Sequence, residues 1–357
     1  MFLVNSIRRN PYPIVLFTVM LLLTACGGAQ KVADSAQIPV QLAPILPKAS
    51  LAGSIQIDGS STVFPITEAV VKEFRAHNQQ IQIDSKFSGT GGGFEKFCAG
   101  ETQVSGASRP ITKAEMEACR QGGVAYIEIP VAFDALTVVV NPKNDWANDI
   151  TTEELKRLWE PAAQGKIKTW QQVRSSWPAK PIKLYGPGAD SGSYDYFTEV
   201  ITGKDGASRS DYTASEDDDI LVAGVSNDPQ ALGYFGLAYY EANQTKLKAL
   251  GVDSGNGAVV PSRQTVEKSE YRPLSRPLFI YVNSKAAQDK PELRAFIDFY
   301  LTNDQKSVQS VGYIPLPAEG YRLSFLHFQR GKVGTVFGGE PQPDLTIGQL
   351  LRKQAEF

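Results

Sequence analysis

From residue 54 onward the hydrophobic and polar positions of the chain follow two alternating periods. "SIQID" (54–58) and "IQIDSKF" (81–87) alternate apolar with polar residues, as strands with one buried face do. Between them Phe64, Val70, Val71 and Phe74 can line one side of a helix. "VAYIEIPV" (124–131) and "ALTVVV" (135–140) are apolar and rich in β-branched residues, which predicts two buried strands of an α/β sheet. "TTEELKRLWE" (151–160) sets Thr151 and Glu154 at capping-box spacing and predicts a helix start. "PIKLYG" (181–186) reads as a strand and "SYDYFTEVI" (193–201) as the helix after it. "LFIYV" (278–282) predicts a further strand, and "PELRAFIDFYLTND" (291–304) a closing helix with Pro291 in its first turn. Ser215, ahead of the acidic "EDDDI" (216–220), predicts another capped helix. The alternation implies α/β architecture with parallel or mixed sheets.

Upstream of this body the pattern changes. Arg8 and Arg9 precede "IVLFTVMLLL" (14–23), an apolar run of signal-peptide length and short for a membrane span. "LTAC" (23–26) follows and resembles the bacterial lipobox, whose cysteine becomes the lipidated first residue of the mature chain. The alternative is an ordinary signal peptide that happens to hold a cysteine. Residues 1–25 are thus expected to be a lipoprotein signal peptide and Cys26 the lipid anchor. Residues 26–53, rich in Ala, Gly, Gln and Pro, are expected to be a flexible tether. The about 300 residues that follow suggest two lobes instead of one enlarged core.

Composition narrows the chemistry. The net charge is -2 and no basic stripe occurs, which argues against nucleic acid as a partner. Besides Cys26 there are Cys98 and Cys119, and in an exported protein such a pair favours one disulfide, with two buried thiols as the alternative. The bridge would staple a helix near "FEKFCAG" to one near "EMEACRQGG". The two histidines, His77 and His327, lie far apart, which leaves little material for a zinc site, and no cofactor is expected.

Three junctions repeat one design. "DGSSTVFPITEAVVKEF" (58–74) places Ser60, Ser61 and Thr62 where a strand turns into a helix. "FSGTGGGFEKF" (87–97) places Ser88 and Thr90 among glycines, and "YGPGADSGSYDYF" (185–197) places Ser191, Gly192 and Ser193 at a third such turn. A helix N-terminus leaves backbone N–H groups without partners and carries partial positive charge. Hydroxyls and bare glycine backbone there suit a bound anion. A single such turn is more often a helix cap, but three together favour a tetrahedral oxyanion beyond the carboxyl ends of the strands. "VSGASRPI" (104–111) adds Arg109, whose guanidinium fork matches an oxyanion. None of the glycine turns has the spacing of a nucleotide-binding P-loop.

These residues resemble the periplasmic phosphate-binding component of the bacterial high-affinity phosphate ABC importer. The resemblance runs over about 54 to 340 and rests on "GSSTVFPI", "GTGGGFEKFCAGE", "GASRPI", "NPKNDWA", "LKRLWEPAAQGK", "LYGPGADSGSYDYFTE", "DYTASEDDD" and "ALGYFGLAYY", in that order. It implies a type II periplasmic binding protein, with two α/β lobes joined by crossing hinge strands that close on the ligand. Lobe 1 would hold 54–132 plus 270–357, and lobe 2 would hold 133–269. Carried over position by position, Ser61, Thr62 and Val63 fit the first contact loop, Thr90 and Gly91 the second, and Ser191, Gly192 and Ser193 the third. Two positions depart from the family pattern. Where well-known members have an aspartate this chain has Arg109, and the stretch before the third loop has no arginine.

That departure matters because phosphate keeps a proton at neutral pH and sulfate does not. An acceptor-only carboxylate takes a hydrogen bond from hydrogen phosphate and repels sulfate. Asp134 and Asp190 are the candidate acceptors. The resemblance thus implies a monomeric, non-enzymatic binder that delivers inorganic phosphate to a membrane permease from a periplasmic, Cys26-anchored position. A binder of sulfate, molybdate, arsenate or a phosphonate is the alternative within the same class. A phosphatase or serine hydrolase is disfavoured by the distant histidines and the lack of a G-x-S-x-G turn.

Overall fold

The computed structural model describes residues 51–340, 342 and 345–353, without the side chain of Asp304. The leader, Cys26 and nearly all of the tether lie outside the described residues. The first half of the body alternates regularly: β1 (Gly53–Gly59), α1 (Phe64–His77), β2 (Ile81–Ser85), α2 (Gly89–Cys98), β3 (Val104–Ala107), α3 (Lys113–Gln121) and β4 (Tyr126–Val140). β2, β1 and β3 pair in parallel, in that order across the sheet. The strand Ser275–Asn283 then runs antiparallel between β3 and β4.

β4 is one strand of 15 residues, buried throughout, where the sequence suggested two. Asp134, between the two expected strands, does not interrupt β4, and neither does Pro130 within the first of them. The pairing skips a residue between Leu278 and Phe279, whose partners are Ala132 and Pro130. A bulge of this kind tolerates a residue that cannot donate to the ladder. Asp134 is neutralised across the sheet by Arg276, described below. The two ends of β4 serve different neighbours. Residues 126–135 pair with Ser275–Asn283, and residues 136–140 pair with Ala231–Gly236. From there Lys183–Gly186 and Thr213–Ala214 extend the sheet. A separate three-stranded sheet joins Asp149–Thr151, Gly251–Asp253 and Ala258–Val259.

Local signals are met at some positions and displaced at others. Thr151 and Glu154 form a reciprocal capping box on the helix Thr152–Trp159. Val70, Val71 and Phe74 of α1 are buried, and Phe74 meets Phe296 of the helix Pro291–Ser310 edge-on. Phe64 is half-buried and meets Phe87 instead, the two rings tilted by 58°. The cap of the helix Asp218–Asn227 is Asp217, which accepts from the Asp219 amide, and not Ser215. Pro291–Ser310 does not close the chain: helices Ala318–Gln329 and Ile347–Leu351 follow it.

Cys98 and Cys119 are joined as a disulfide that ties α2 to α3 across 21 residues. Restricting the unfolded chain over such a loop is worth about 3 kcal/mol. Beneath the turns, β1, α2 and β3 approach more closely than any side chain would allow. Gly59 has φ +142°, and a Cβ there would stand 2.2 Å from the Gly106 carbonyl oxygen. A Cβ on Gly93 would stand 2.4 Å from the Gly59 Cα. Glycine at these two positions is what lets the N-terminus of α2 reach the end of β1.

Candidate functional site

The ends of β1 and β2, and the start of the helices they feed, open on one cavity of about 210 Å³. Ser60, Ser61 and Thr62 line it from the first turn, and Gly89, Thr90 and Gly91 from the second. Ser108 and Arg109 follow β3 into it, and Arg276 enters from the strand Ser275–Asn283. Asp195, Glu199 and Asp205 complete the wall.

The three hydroxyls of the opening motif do different work. Ser60 is buried, and its Oγ accepts from the Thr62 amide at 3.2 Å, so it is the one that shapes the turn. The Val63 and Phe64 amides both donate to the Ser60 carbonyl, at 3.2 and 3.0 Å. Val63 therefore has its amide spent within the turn and its side chain fully buried, and it is absent from the cavity wall. Ser61 and Thr62 face across the cavity. The Ser61 Oγ lies 3.5 Å from Asp195 Oδ2, and Thr62 Oγ1 accepts from Arg276 Nη2 at 3.4 Å. On the second turn Thr90 Oγ1 accepts from the Ser108 amide at 3.2 Å and lies 3.1 Å from the Ser108 hydroxyl.

The third turn arrives differently from the expectation. Ser191 caps the helix Gly192–Phe197 through the Ser193 amide. Gly192 packs against the first turn: a Cβ there would meet Thr62 Oγ1 at 2.7 Å. Ser191, Gly192 and Ser193 thus sit beside the cavity, and the next helical turns supply its wall through Asp195 and Glu199. Thr198 donates to the carbonyls of Tyr194 and Asp195, and the chain widens into a π-helical turn over Thr198–Thr202. A hydroxyl that competes for helix carbonyls in this way loosens the regular ladder.

Both arginines are held by carboxylates. Arg109 makes a bidentate pair with Glu115, Nη1 to Oε2 and Nη2 to Oε1, each at 2.8 Å. Burial raises the Glu115 carboxyl, but the bonds from Arg109 and Thr112 outweigh it and hold the group below its usual range. Arg276 is the more enclosed of the two, its side chain 14% exposed against 35% for Arg109. Its Nε reaches Asp134 Oδ2 at 3.3 Å and its Nη1 reaches Glu199 Oε2 at 3.3 Å. Its guanidinium lies 3.7 Å from the centre of the Tyr196 ring, within cation–π range.

Sequence reasoning missed Arg276, Asp195, Glu199 and Asp205. A signal for the arginine was present: "SRPI" (108–111) and "SRPL" (275–278) repeat one pattern, and both arginines line the cavity. The two candidate acceptors are placed elsewhere. Asp134 stands behind Arg276 and outside the cavity wall, pushed up to about 6 by burial against the pull of that arginine. Asp190 is exposed, its amide donating to Glu216, and it does not line the cavity. Asp195 is the carboxylate at the opposite wall. Burial first, and then the neighbouring Asp205, raise its pKa, while Ser61 and Arg276 oppose the rise.

The segment carrying Arg109 is braced from below by Glu128 of β4. Glu128 accepts from Tyr281 Oη at 2.7 Å, Thr335 Oγ1 at 2.6 Å and the Val336 amide at 3.0 Å. Tyr281 Oη in turn accepts from the Ile111 amide at 2.9 Å. Burial pushes Glu128 from 4.5 up to about 7. The folded chain therefore binds this proton more tightly than the unfolded one. The stability Glu128 contributes is complete below about pH 4 and is lost as pH rises through 7. Between about pH 5 and 8 the unfolding free energy should fall by an amount on the order of 3 kcal/mol from this group. Denaturant titrations of the Glu128→Gln chain should show a flatter profile. An unchanged slope would remove Glu128 as its source.

Among the described residues no group of three or more His, Cys, Asp or Glu side chains is placed to hold a metal ion. No helix among them is long and apolar enough to cross a membrane.

Comparison with known proteins places this architecture. Residues 47–304 match the PBP superfamily domain. The chain is 60% identical to the protein SphX of Synechocystis over 304 residues, 85% of this chain and 90% of that one. It is 37% identical to the phosphate-binding protein PstS of Staphylococcus saprophyticus over 325 residues, 91% of this chain and 93% of that one. Among solved structures it is similar to a "possible phosphate binding protein" from Planctomyces limnophilus, with 45% identity and a TM-score of 0.76, over 79% of this chain and 99% of that one.

Proposed function

Because the chain belongs to the PBP superfamily, with SphX and PstS proteins as its relatives, we propose that its 210 Å³ cavity holds inorganic phosphate for delivery to an ABC permease. The observation that carries this reading is convergence. Two helix N-termini, five hydroxyl residues and two arginines, drawn from segments far apart in sequence, line one cavity. Each charge-assisted hydrogen bond to an anion is worth roughly 1.5–3 kcal/mol. A handful reaches micromolar binding, about 8 kcal/mol, after the cost of association.

The division of strands supports a hinge. Those of residues 53–135 with Ser275–Asn283 form one set, and 136–140, 183–186, 213–214, 231–236 and 248–249 form the other. We read these as the two lobes, with β4 passing between them and Ser61, Thr62, Asp195 and Gly192 meeting across the closure. Arg276 replaces the arginine that the third loop lacks. Asp195, in place of Asp134 or Asp190, is the acceptor for the proton of hydrogen phosphate. No reacting nucleophile is needed, and the protein acts as a binder without turnover.

Calorimetric titration with phosphate, alone and in excess sulfate, tests the reading. Micromolar or tighter phosphate binding that sulfate does not displace is expected; displacement by sulfate would reject the acceptor argument. The "LTAC" motif supports anchoring through lipidated Cys26 outside the cytoplasmic membrane, as a monomer beside its permease. A Cys26→Ser chain should leave the membrane fraction, and its retention there would refute the anchor.

A further inference from the structure

Beside the anion cavity lies a second one of about 290 Å³ with a different character. Phe133, Tyr196, Val200, Pro273, Pro277 and Phe337 form much of its wall. Ser108, Arg109, Glu199 and Arg276 line both cavities. The two spaces thus meet at a partition in which two arginines face an apolar chamber on one side and hydroxyls on the other. Three of the four shared residues carry long side chains, whose ends shift between rotamers without moving backbone. An apolar cavity of about 150 Å³ suffices for a benzene ring.

We propose that the site also takes monosubstituted phosphoryl compounds, R–PO₃ with a small apolar R. The phosphoryl group would sit among the hydroxyls and arginines, and R would enter the apolar chamber past Arg109 and Arg276. This rests on the phosphate reading of the first cavity and extends its ligand class. Charge complementarity selects the occupant. A neutral apolar molecule would leave the arginine wall unused, and an anion without an apolar group would leave the chamber unfilled. The three remaining phosphoryl oxygens still present the charge that the two arginines and the helix N-termini receive.

Titrating the purified full chain with phosphate, methylphosphonate, propylphosphonate and phenylphosphonate tests it. Burial of each methylene is worth a factor of about four in affinity. Propylphosphonate and phenylphosphonate should therefore bind at least tenfold more tightly than methylphosphonate. Val200→Phe, which fills the chamber without touching the first cavity, should remove that advantage and leave phosphate affinity unchanged. Should Val200→Phe lose phosphate as well, the ligand series in the unaltered chain decides by itself. Phosphate binding with no gain along the series overturns the proposal alone. Binding of none of the four compounds overturns the phosphate reading and this proposal with it.

Discussion

Replacing Arg276 with alanine should weaken phosphate binding at least a hundredfold, about 3 kcal/mol or more. This is the range for truncating one member of a buried, hydrogen-bonded charge pair. Arg276 reaches Thr62 on one side of the cavity and Glu199 on the other, while Asp134 holds it from behind. Losing it removes a cation from the anion site and leaves the buried Asp134 unpaired, a change that typically costs 3–5 kcal/mol of stability. Asp134 already stands near 6, and burial, which raises it, is opposed by Arg276 alone. Without that arginine its folded-state pKa rises further above the unfolded value. The stability loss of the variant should then grow as pH rises through neutrality and shrink in mild acid. The double variant Arg276→Ala with Asp134→Asn separates the two effects. It should recover stability and not binding. Recovered phosphate affinity in the double variant would show that Arg276 acts on fold alone. Arg109→Ala should cost less, because Glu115 already takes both of its forks.

The contrast between the two arginines shows what the sequence could disclose. Features set within a few residues were legible: the capping box at Thr151, the turns at 60–62 and 89–91, and Arg109 just after its strand. For Arg276 the repeated "SRP" pattern was the one local sign, and its place in the cavity was not legible, because 214 residues separate it from Thr62. The antiparallel strand Ser275–Asn283, set between β3 and β4, brings it to the cavity, and such pairing leaves no trace in local periodicity. β4 was misread as two strands because Asp134, between the two apolar runs, looks like a break when its partner is not in view. Asp195 was passed over for a related reason. Inside "SYDYF" it has the appearance of an exposed helical position, whereas the packing of Gly192 on Thr62 turns that helix toward Ser61. The turns that line the cavity were visible, and the charges opposite them were placed by the tertiary fold.

Asp195→Asn should lower the preference for phosphate over sulfate by about a thousandfold. Two contributions of similar size add to about 4 kcal/mol. Hydrogen phosphate loses a bond to a charged acceptor, worth roughly 1.5–3 kcal/mol. Sulfate is relieved of a like-charge contact in an enclosed cavity, a repulsion of comparable magnitude. The direction follows from proton count: sulfate has no hydrogen to offer, so an ionised Asp195 can only repel it. The asparagine offers an amide donor to both anions and discriminates between them poorly. Lowering the pH of the unaltered protein should move selectivity the same way. Burial and Asp205 raise the Asp195 pKa, so it gains a proton at higher pH than an ordinary aspartate, and sulfate should compete better as it does. Competition titrations at about pH 8 and pH 5 on both chains measure each arm. Selectivity that is unchanged by the substitution and by pH would move the acceptor role to Glu199 or Asp205, the other carboxylates of that wall.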